Sequence, residues 1–240
     1  MTLLRSAIFF LWFAAISVVL NLAFLPALAM PRKATLFAAR VWSKATLWGL
    51  KVFAALDYEV RGEIPEGQAL IAAKHMSMWD TLALYLLLAD SAFVIKRELL
   101  RIPFYGWYVK KAGSIVIDRE GRASALRDMA AAARRAIVAD RPVVIFPEGT
   151  RKLPGAAPDY KPGVAALYRK LDVPCIPVAL NSGLFWTGFR KNRGRIVIEF
   201  LPPIPAGLSR QDFMRMLRER IETATGNLLR EGQALLARGR

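Results

Sequence analysis

Cysteine and histidine are almost missing from this 240-residue chain, which holds one of each, Cys175 and His75. A single cysteine excludes an intramolecular disulfide and a cysteine-built zinc site, and a single histidine excludes a multi-histidine metal centre. A reducing, cytoplasm-facing compartment is therefore expected. Acids are scarce as well: 19 against 35 basic residues leave a formal charge of +16. Such an excess calls for an anionic partner, whether nucleic acid, an acidic membrane surface or a phosphorylated substrate. The third absence is local. No charged residue occurs from Ser6 to Met30, and hydrophobic residues make up 55% of the whole, above the soluble average.

As one helix, the uncharged stretch would run roughly 37 Å, enough to cross a hydrocarbon core of about 30 Å. Three readings compete: a cleaved signal peptide ending near Ala27-Leu28-Ala29, a single span, and a helical hairpin dipping into one leaflet and broken near Pro26 and Pro31. The signal-peptide reading fits least well, because the apolar region is too long and only Arg5 precedes it. A second helix is expected over Ala34–Leu56. Arg40, Lys44 and Lys51 fall near one of its faces and Phe37, Val41, Trp48 and Val52 on another, the pattern of an interfacial amphipathic helix. A surface helix packed on the domain is the plainer alternative. Basic residues after the apolar run place the remainder of the chain on the cytoplasmic side of an inner membrane. Residues 1–56 thus read as a two-helix membrane-anchoring segment and 57–240 as one catalytic domain.

Within that domain, apolar runs of four to six residues alternate with helical patterns. Strands are expected at Tyr58–Arg61, Ala69–Lys74, Ala92–Lys96, Ser114–Ile117, Val143–Phe146, Cys175–Leu180 and Arg195–Phe200, with helices between them. This predicts an α/β fold whose largely parallel, mixed sheet is flanked by helices. A helical tail opens at Ser209, which stands in capping-box spacing with Asp212. No internal repeat is present.

The chemistry centres on Lys74-His75-Met76-Ser77-Met78-Trp79-Asp80. On a continuous helix, five residues separate His75 and Asp80 by about 140°, so the two side chains would not meet. They meet if the chain turns between them, and Ser77 is a natural N-cap for a helix starting at Met78, with Asp80 at N3. Ser77-x-x-Asp80 is also a capping box that needs no catalysis. Two further stretches bear on the choice. Gly113-Ser114-Ile115-Val116-Ile117-Asp118-Arg119 carries a charged pair at a strand's carboxyl end, where open α/β sheets bind ligands. Val143-Val144-Ile145-Phe146-Pro147-Glu148-Gly149-Thr150-Arg151 runs from a strand into a polar turn. There Gly149 permits a positive φ, Thr150 offers a hydroxyl and Arg151 can grip a phosphate bidentately.

His-x4-Asp succeeded in order by these blocks resembles the glycerolipid acyltransferase family, the bacterial 1-acylglycerol-3-phosphate acyltransferases in particular, over about Val60–Pro203. The resemblance implies His75 as general base and Asp80 as its orienting carboxylate. It implies acceptor binding by Gly113, Asp118 and Arg119 and by Glu148, Gly149, Thr150 and Arg151, with Lys96 and Arg151 on the acceptor phosphate. Pro177 marks a fourth block linked to donor use. Implied partners are an acyl-coenzyme A or acyl-carrier-protein donor, a lysophospholipid acceptor and an anionic membrane surface, with no metal, cofactor or nucleic acid. Val116, where an aromatic is commoner, departs from the pattern without touching a chemical role.

Acyl transfer to an alcohol needs a base for the hydroxyl proton, a contribution of roughly 10²–10⁴-fold. It also needs donors for the oxyanion, and the His75–Met78 turn is a source of N–H groups. No serine or cysteine nucleophile is required. Cys175, inside an apolar strand, reads as core. Another lyso-lipid, such as lyso-ornithine lipid, and glycerol-3-phosphate are alternative acceptors. A non-enzymatic basic membrane or nucleic-acid binder would rest on charge alone and would leave the placement of the basic residues beside the motif blocks unexplained.

Overall fold

The computed structural model describes residues 1–118 and 122–238. Arg119 lies outside them. The uncharged stretch does not form one rod. Helix α1 (Thr2–Ala23) ends before a 3₁₀ turn at Leu25–Leu28, and α2 (Arg32–Ala54) returns antiparallel to it. Pro26 and Pro31 force the break, since neither can donate a backbone hydrogen bond and each disfavours helix in the residue before it. The helices approach closely where Gly49 faces Trp12. A Cβ on Gly49 would lie 2.2 Å from the indole. Trp12 Nε1 donates to the Ala45 carbonyl and Trp42 Nε1 to Ser17 Oγ, so both indole N–H groups are satisfied across the seam.

The sheet elements come next: β1 (Leu56–Arg61), β2 (Leu70–Ala73), α3 (Trp79–Leu87), β3 (Ala92–Lys96), a 3₁₀ turn (Arg97–Arg101), α4 (Tyr105–Lys111), β4 (Ile115–Ile117), α5 (Arg122–Val138), β5 (Val143–Ile145), α6 (Gly163–Leu171), β6 (Cys175–Leu180) and α7 (Ser182–Phe185). A small hairpin of β7 (Trp186–Thr187) and β8 (Arg190–Lys191), then β9 (Gly194–Phe200) and the long α8 (Arg210–Arg238), complete the chain. Seven strands make one sheet in the order β1-β9-β6-β2-β5-β3-β4. It is parallel from β6 to β4 and across β1–β9. Among its described strands the one antiparallel pairing is β6–β9, and Cys175 at the start of β6 makes a further antiparallel bridge to Ile204. The mixed, largely parallel sheet expected from the apolar runs is present.

Alternation along β2 shows how the layers arise. Ile71 and Ala73 point into one core with α2 and α3, while Leu70 and Ala72 point into the other with α5, α6 and α8. All four are fully buried, as a central parallel strand requires. Leu47, Leu50 and Ala54 of α2 belong to the first core, so the second helix is built into the fold as well as presenting Phe37, Trp48 and Val52 to the outside. Half of the expected capping box at the last helix forms: the Asp212 N–H donates to Ser209 Oγ, while the Ser209 hydroxyl, rather than its backbone N–H, donates to the Asp212 carboxylate. The β7–β8 hairpin lies where the strand pattern is silent.

Helix α1 lies along the body of the protein at both ends. Ser6 Oγ accepts the backbone N–H of Lys191, and the Asn21 carbonyl accepts the Tyr108 hydroxyl, contacts about 22 Å apart along the helix axis. Its other side, including Leu4, Ile8, Leu11, Val18, Val19 and Leu22, is exposed. Among the described helices it alone is long and apolar enough to cross a membrane.

Candidate active site

The carboxyl ends of β6, β2, β5, β3 and β4 line up along one edge of the sheet, and the residues just beyond these strands form the site. After β2 the chain turns so that Asp80, at the start of α3, faces back on His75. Helix α3 begins at Trp79, one residue later than expected, and Asp80 is its second residue. The carboxyl is wholly buried and sits among five donor groups. Oδ2 accepts from His75 Nδ1 at 2.9 Å and from the N–H groups of Met76 and Ser77 at 2.7 and 2.9 Å. Oδ1 accepts from the hydroxyls of Ser77 and Ser182. A carboxylate only accepts, so Nδ1 carries its proton toward Asp80 and Nε2 keeps a lone pair.

The N-cap is Met78 rather than Ser77, but Asp80 still takes the Ser77 N–H with the same carboxylate that takes His75. The Trp79 N–H donates to Ser77 Oγ while Asp80 takes the Ser77 N–H, reciprocal bonds that pin the carboxylate against the histidine. For Met76 and Ser77 this corrects the expectation that the His75–Met78 turn serves the oxyanion. The Met76 and Ser77 N–H groups turn onto Asp80, so they do not face a reacting carbonyl.

His75 is stacked on Phe146, ring centroids 3.9 Å apart and 15° from parallel, with its side chain 12% exposed. Phe146 opens the turn after β5. Gly149 holds that turn at φ 61° and donates to the Phe146 carbonyl. The backbone N–H of Lys152 then reaches the His75 carbonyl at 2.9 Å, which sets Arg151 beside the histidine loop. Thr150 is exposed on one side of that turn and Arg151 is exposed next to it. Lys96 ends β3, two strands from β2 and so roughly 10 Å across the edge. Among the described residues neither Arg151 nor Lys96 makes an ion pair. Asp118 accepts a hydrogen bond from Arg97 at 2.6 Å at the end of β4.

Two expected site residues stand elsewhere. Gly113 lies at the amino end of β4, on the opposite edge of the sheet from His75, where its carbonyl accepts from Arg141. Its φ of 76° serves the turn from α4 into β4. Glu148 points away from solvent and pairs with Lys74 Nζ at 3.1 Å, both side chains almost fully buried. Lys74 also pairs with Glu222 of α8 at 2.8 Å, and the Tyr160 hydroxyl donates to the same Glu222 oxygen. Burial and the two carboxylates push the Tyr160 phenol far above its ordinary value. Lys74, Ser182 and Glu222 escape sequence reasoning, since serine after an apolar strand and one lysine among many carry no signal of their own.

Between α1, α2, α3 and α4 lies a cavity of about 180 Å³ lined by Leu20, Phe24, Trp42, Tyr105 and others, with Thr81 and Leu82, the residues that follow Asp80 on α3, in its wall. Burial raises the Tyr105 phenol, with the charge of Arg151 pulling the other way.

Comparison with known proteins matches this arrangement to one family. A model described as Acyltransferase covers residues 57–181. A 1-acyl-sn-glycerol-3-phosphate acyltransferase from Pseudomonas aeruginosa is 34% identical over 209 residues, covering 85% of this chain and 81% of that one. A protein of the same name from Salmonella typhimurium is 29% identical over 189 residues, 78% of this chain and 76% of that one. The crystal structure of the 1-acyl-sn-glycerophosphate acyltransferase PlsC from Thermotoga maritima superposes with a TM-score of 0.78 over 95% of this chain and 98% of its own, at 22% identity. A histidine oriented by a buried carboxylate, an exposed arginine on the turn bonded to the histidine's own backbone and an apolar cavity along α3 thus sit in a chain that belongs to the acyltransferase family.

Proposed function

We propose that this acyltransferase moves a fatty acyl group from a thioester of coenzyme A or acyl carrier protein to the sn-2 hydroxyl of 1-acylglycerol-3-phosphate, giving phosphatidic acid. The observation that carries the mechanism is the bond from His75 Nδ1 to the buried Asp80. It leaves Nε2 as base, while the nearby Ser77 and Ser182 hydroxyls turn onto Asp80 and Cys175 is buried in β6. His75 Nε2 takes the hydroxyl proton as the acceptor oxygen bonds to the thioester carbon. The carbon–sulfur bond then breaks, and the imidazolium returns the proton to the departing thiolate. Asp80 holds the ring in one tautomer throughout.

Arg151 and Lys96 hold the acceptor phosphate, in keeping with their lack of a carboxylate partner among the described residues. Acyl chain enters the cavity under Leu82 and Tyr85. The α1–α2 hairpin sits in one leaflet rather than spanning it, because α1 is held to the protein at both ends. Its apolar face then lies among acyl chains and Arg40 and Lys44 at anionic headgroups, on the cytoplasmic side of an inner membrane.

The test supplies labelled acyl donor to membranes and a panel of lyso-lipids with and without phosphate, glycerol-3-phosphate included. Transfer is expected to 1-acylglycerol-3-phosphate and to vanish in His75→Ala. Arg151→Ala is expected to raise the acceptor KM far more than the donor KM. Preference for a phosphate-free acceptor, or substantial turnover without His75, would overturn the proposal.

A further inference from the structure

The β7–β8 hairpin is a small element with no part in the chemistry, yet its construction is specific. Phe189 at its tip is 51% exposed and rests on Phe10 of α1, itself 53% exposed, with ring centroids 5.9 Å apart. Two large aromatic rings thus support one another on the outside of the protein, continuous with Leu3, Leu4 and Leu11 on the outward face of α1.

The next residue but one behaves in the opposite way. Lys191, a cation that ordinarily seeks water, is 5% exposed. Its ammonium folds back under the tip, donating to the carbonyls of Gly188 and Phe189 at 2.7 and 3.0 Å. It lies 4.5 Å from the Trp186 ring and 5.7 Å from that of Phe9, and desolvation draws its pKa down to about 8. A tip facing water would have its carbonyls solvated and its lysine extended. A tip facing hydrocarbon must satisfy its carbonyls from within. Arg190 and Arg193, both exposed, flank the aromatic tip, where anionic headgroups would meet them.

We infer that the Thr187–Arg190 tip is a second membrane-inserting element, which places Phe189 beside Phe10 among the acyl chains of an anionic bilayer. This rests on the membrane reading of α1 and adds an anchor remote in sequence. With it, the catalytic domain is held at two places and its tilt over the lipid is set.

The native Cys175 is fully buried and its thiol pushed up by burial, so a single added cysteine can be labelled alone. An environment-sensitive fluorophore is attached to Phe189→Cys, to Leu11→Cys on the outward face of α1, and to Val138→Cys, an exposed position at the end of α5. Each protein is mixed with phosphatidylglycerol–phosphatidylethanolamine vesicles. Emission at positions 189 and 11 is expected to shift to the blue and to be quenched by lipids brominated on their acyl chains, with position 138 unchanged. Phe189→Asp is expected to weaken vesicle partitioning about tenfold or more, the loss of one buried phenyl ring. A blue shift at position 11 with position 189 still in water would overturn the hairpin inference and leave the membrane reading intact. No shift at either would overturn both.

Discussion

Replacing Lys74 by methionine tests whether the buried ion cluster holds the two motif loops together. Its ammonium is 2% exposed and lies between Glu148, on the turn after β5, and Glu222, on α8. Methionine fills similar space but leaves Glu148 facing Glu222 with no cation between them. Glu148 Oε2 already has no hydrogen-bond partner, so the substitution strips its remaining contact. Removing one partner of a buried pair costs about 3–5 kcal/mol, more than a surface pair by severalfold. For a chain of this size that corresponds to a fall in Tm on the order of 10 °C, measured by circular dichroism in detergent. The deficit has a signature that lost packing lacks. It shrinks when Glu222→Gln is added to Lys74→Met, because one of the two facing carboxylates is then gone. Acceptor KM rises in the surviving enzyme, because Glu148 shares its turn with Thr150 and Arg151. A Tm within about 2 °C of the parent, or a deficit left unchanged by Glu222→Gln, would refute the reasoning.

Three other substitutions probe separate links. Ser182→Ala removes a hydroxyl donor from Asp80; a hydrogen bond to a charged group is worth about 1.5–3 kcal/mol, so kcat is expected to fall roughly ten- to a hundredfold with the acceptor KM little changed, as steady-state kinetics will show. Gly49→Val drives a side chain into the Trp12 indole, and the α1–α2 seam is expected to open, read as faster proteolysis between Ala23 and Arg32. Asp90 anchors the start of α2 through Arg32 and also binds Arg141. Burial works against its carboxylate, but the hydrogen bond from Arg32 and the charges of Arg141 and Arg32 win, and its pKa lies below the ordinary 3.8. The stability it contributes is thus present above 3.8 and lost as pH falls through the lower folded value. The Tm gap between the parent and Asp90→Asn should narrow from pH 7 toward about pH 3; a constant gap would sink this account.

Local chemistry made part of this protein legible from its sequence alone. Apolar runs bounded by turns located the strands to within a residue or two, because a strand buried on both faces must be apolar throughout. The His75–Asp80 pair and the Phe146–Arg151 turn lie within short stretches of chain, so their spacing already carried their geometry. Two prolines marked the bend between the first helices. Contacts between distant segments were decided only by folding. Ser182 reaches Asp80 across 102 residues and Lys74 reaches Glu222 across 148, and nothing in either neighbourhood announces the other. The family resemblance puts Gly113 in the site, in one block with Asp118, yet β4 carries the two to opposite edges of the sheet. The last helix, legible only as a helical tail opening at Ser209, lies against β6 and supplies Glu222 to the cluster around Lys74. Periodicity shows which residues seek burial, whereas the partner each one finds depends on how the layers close around the sheet.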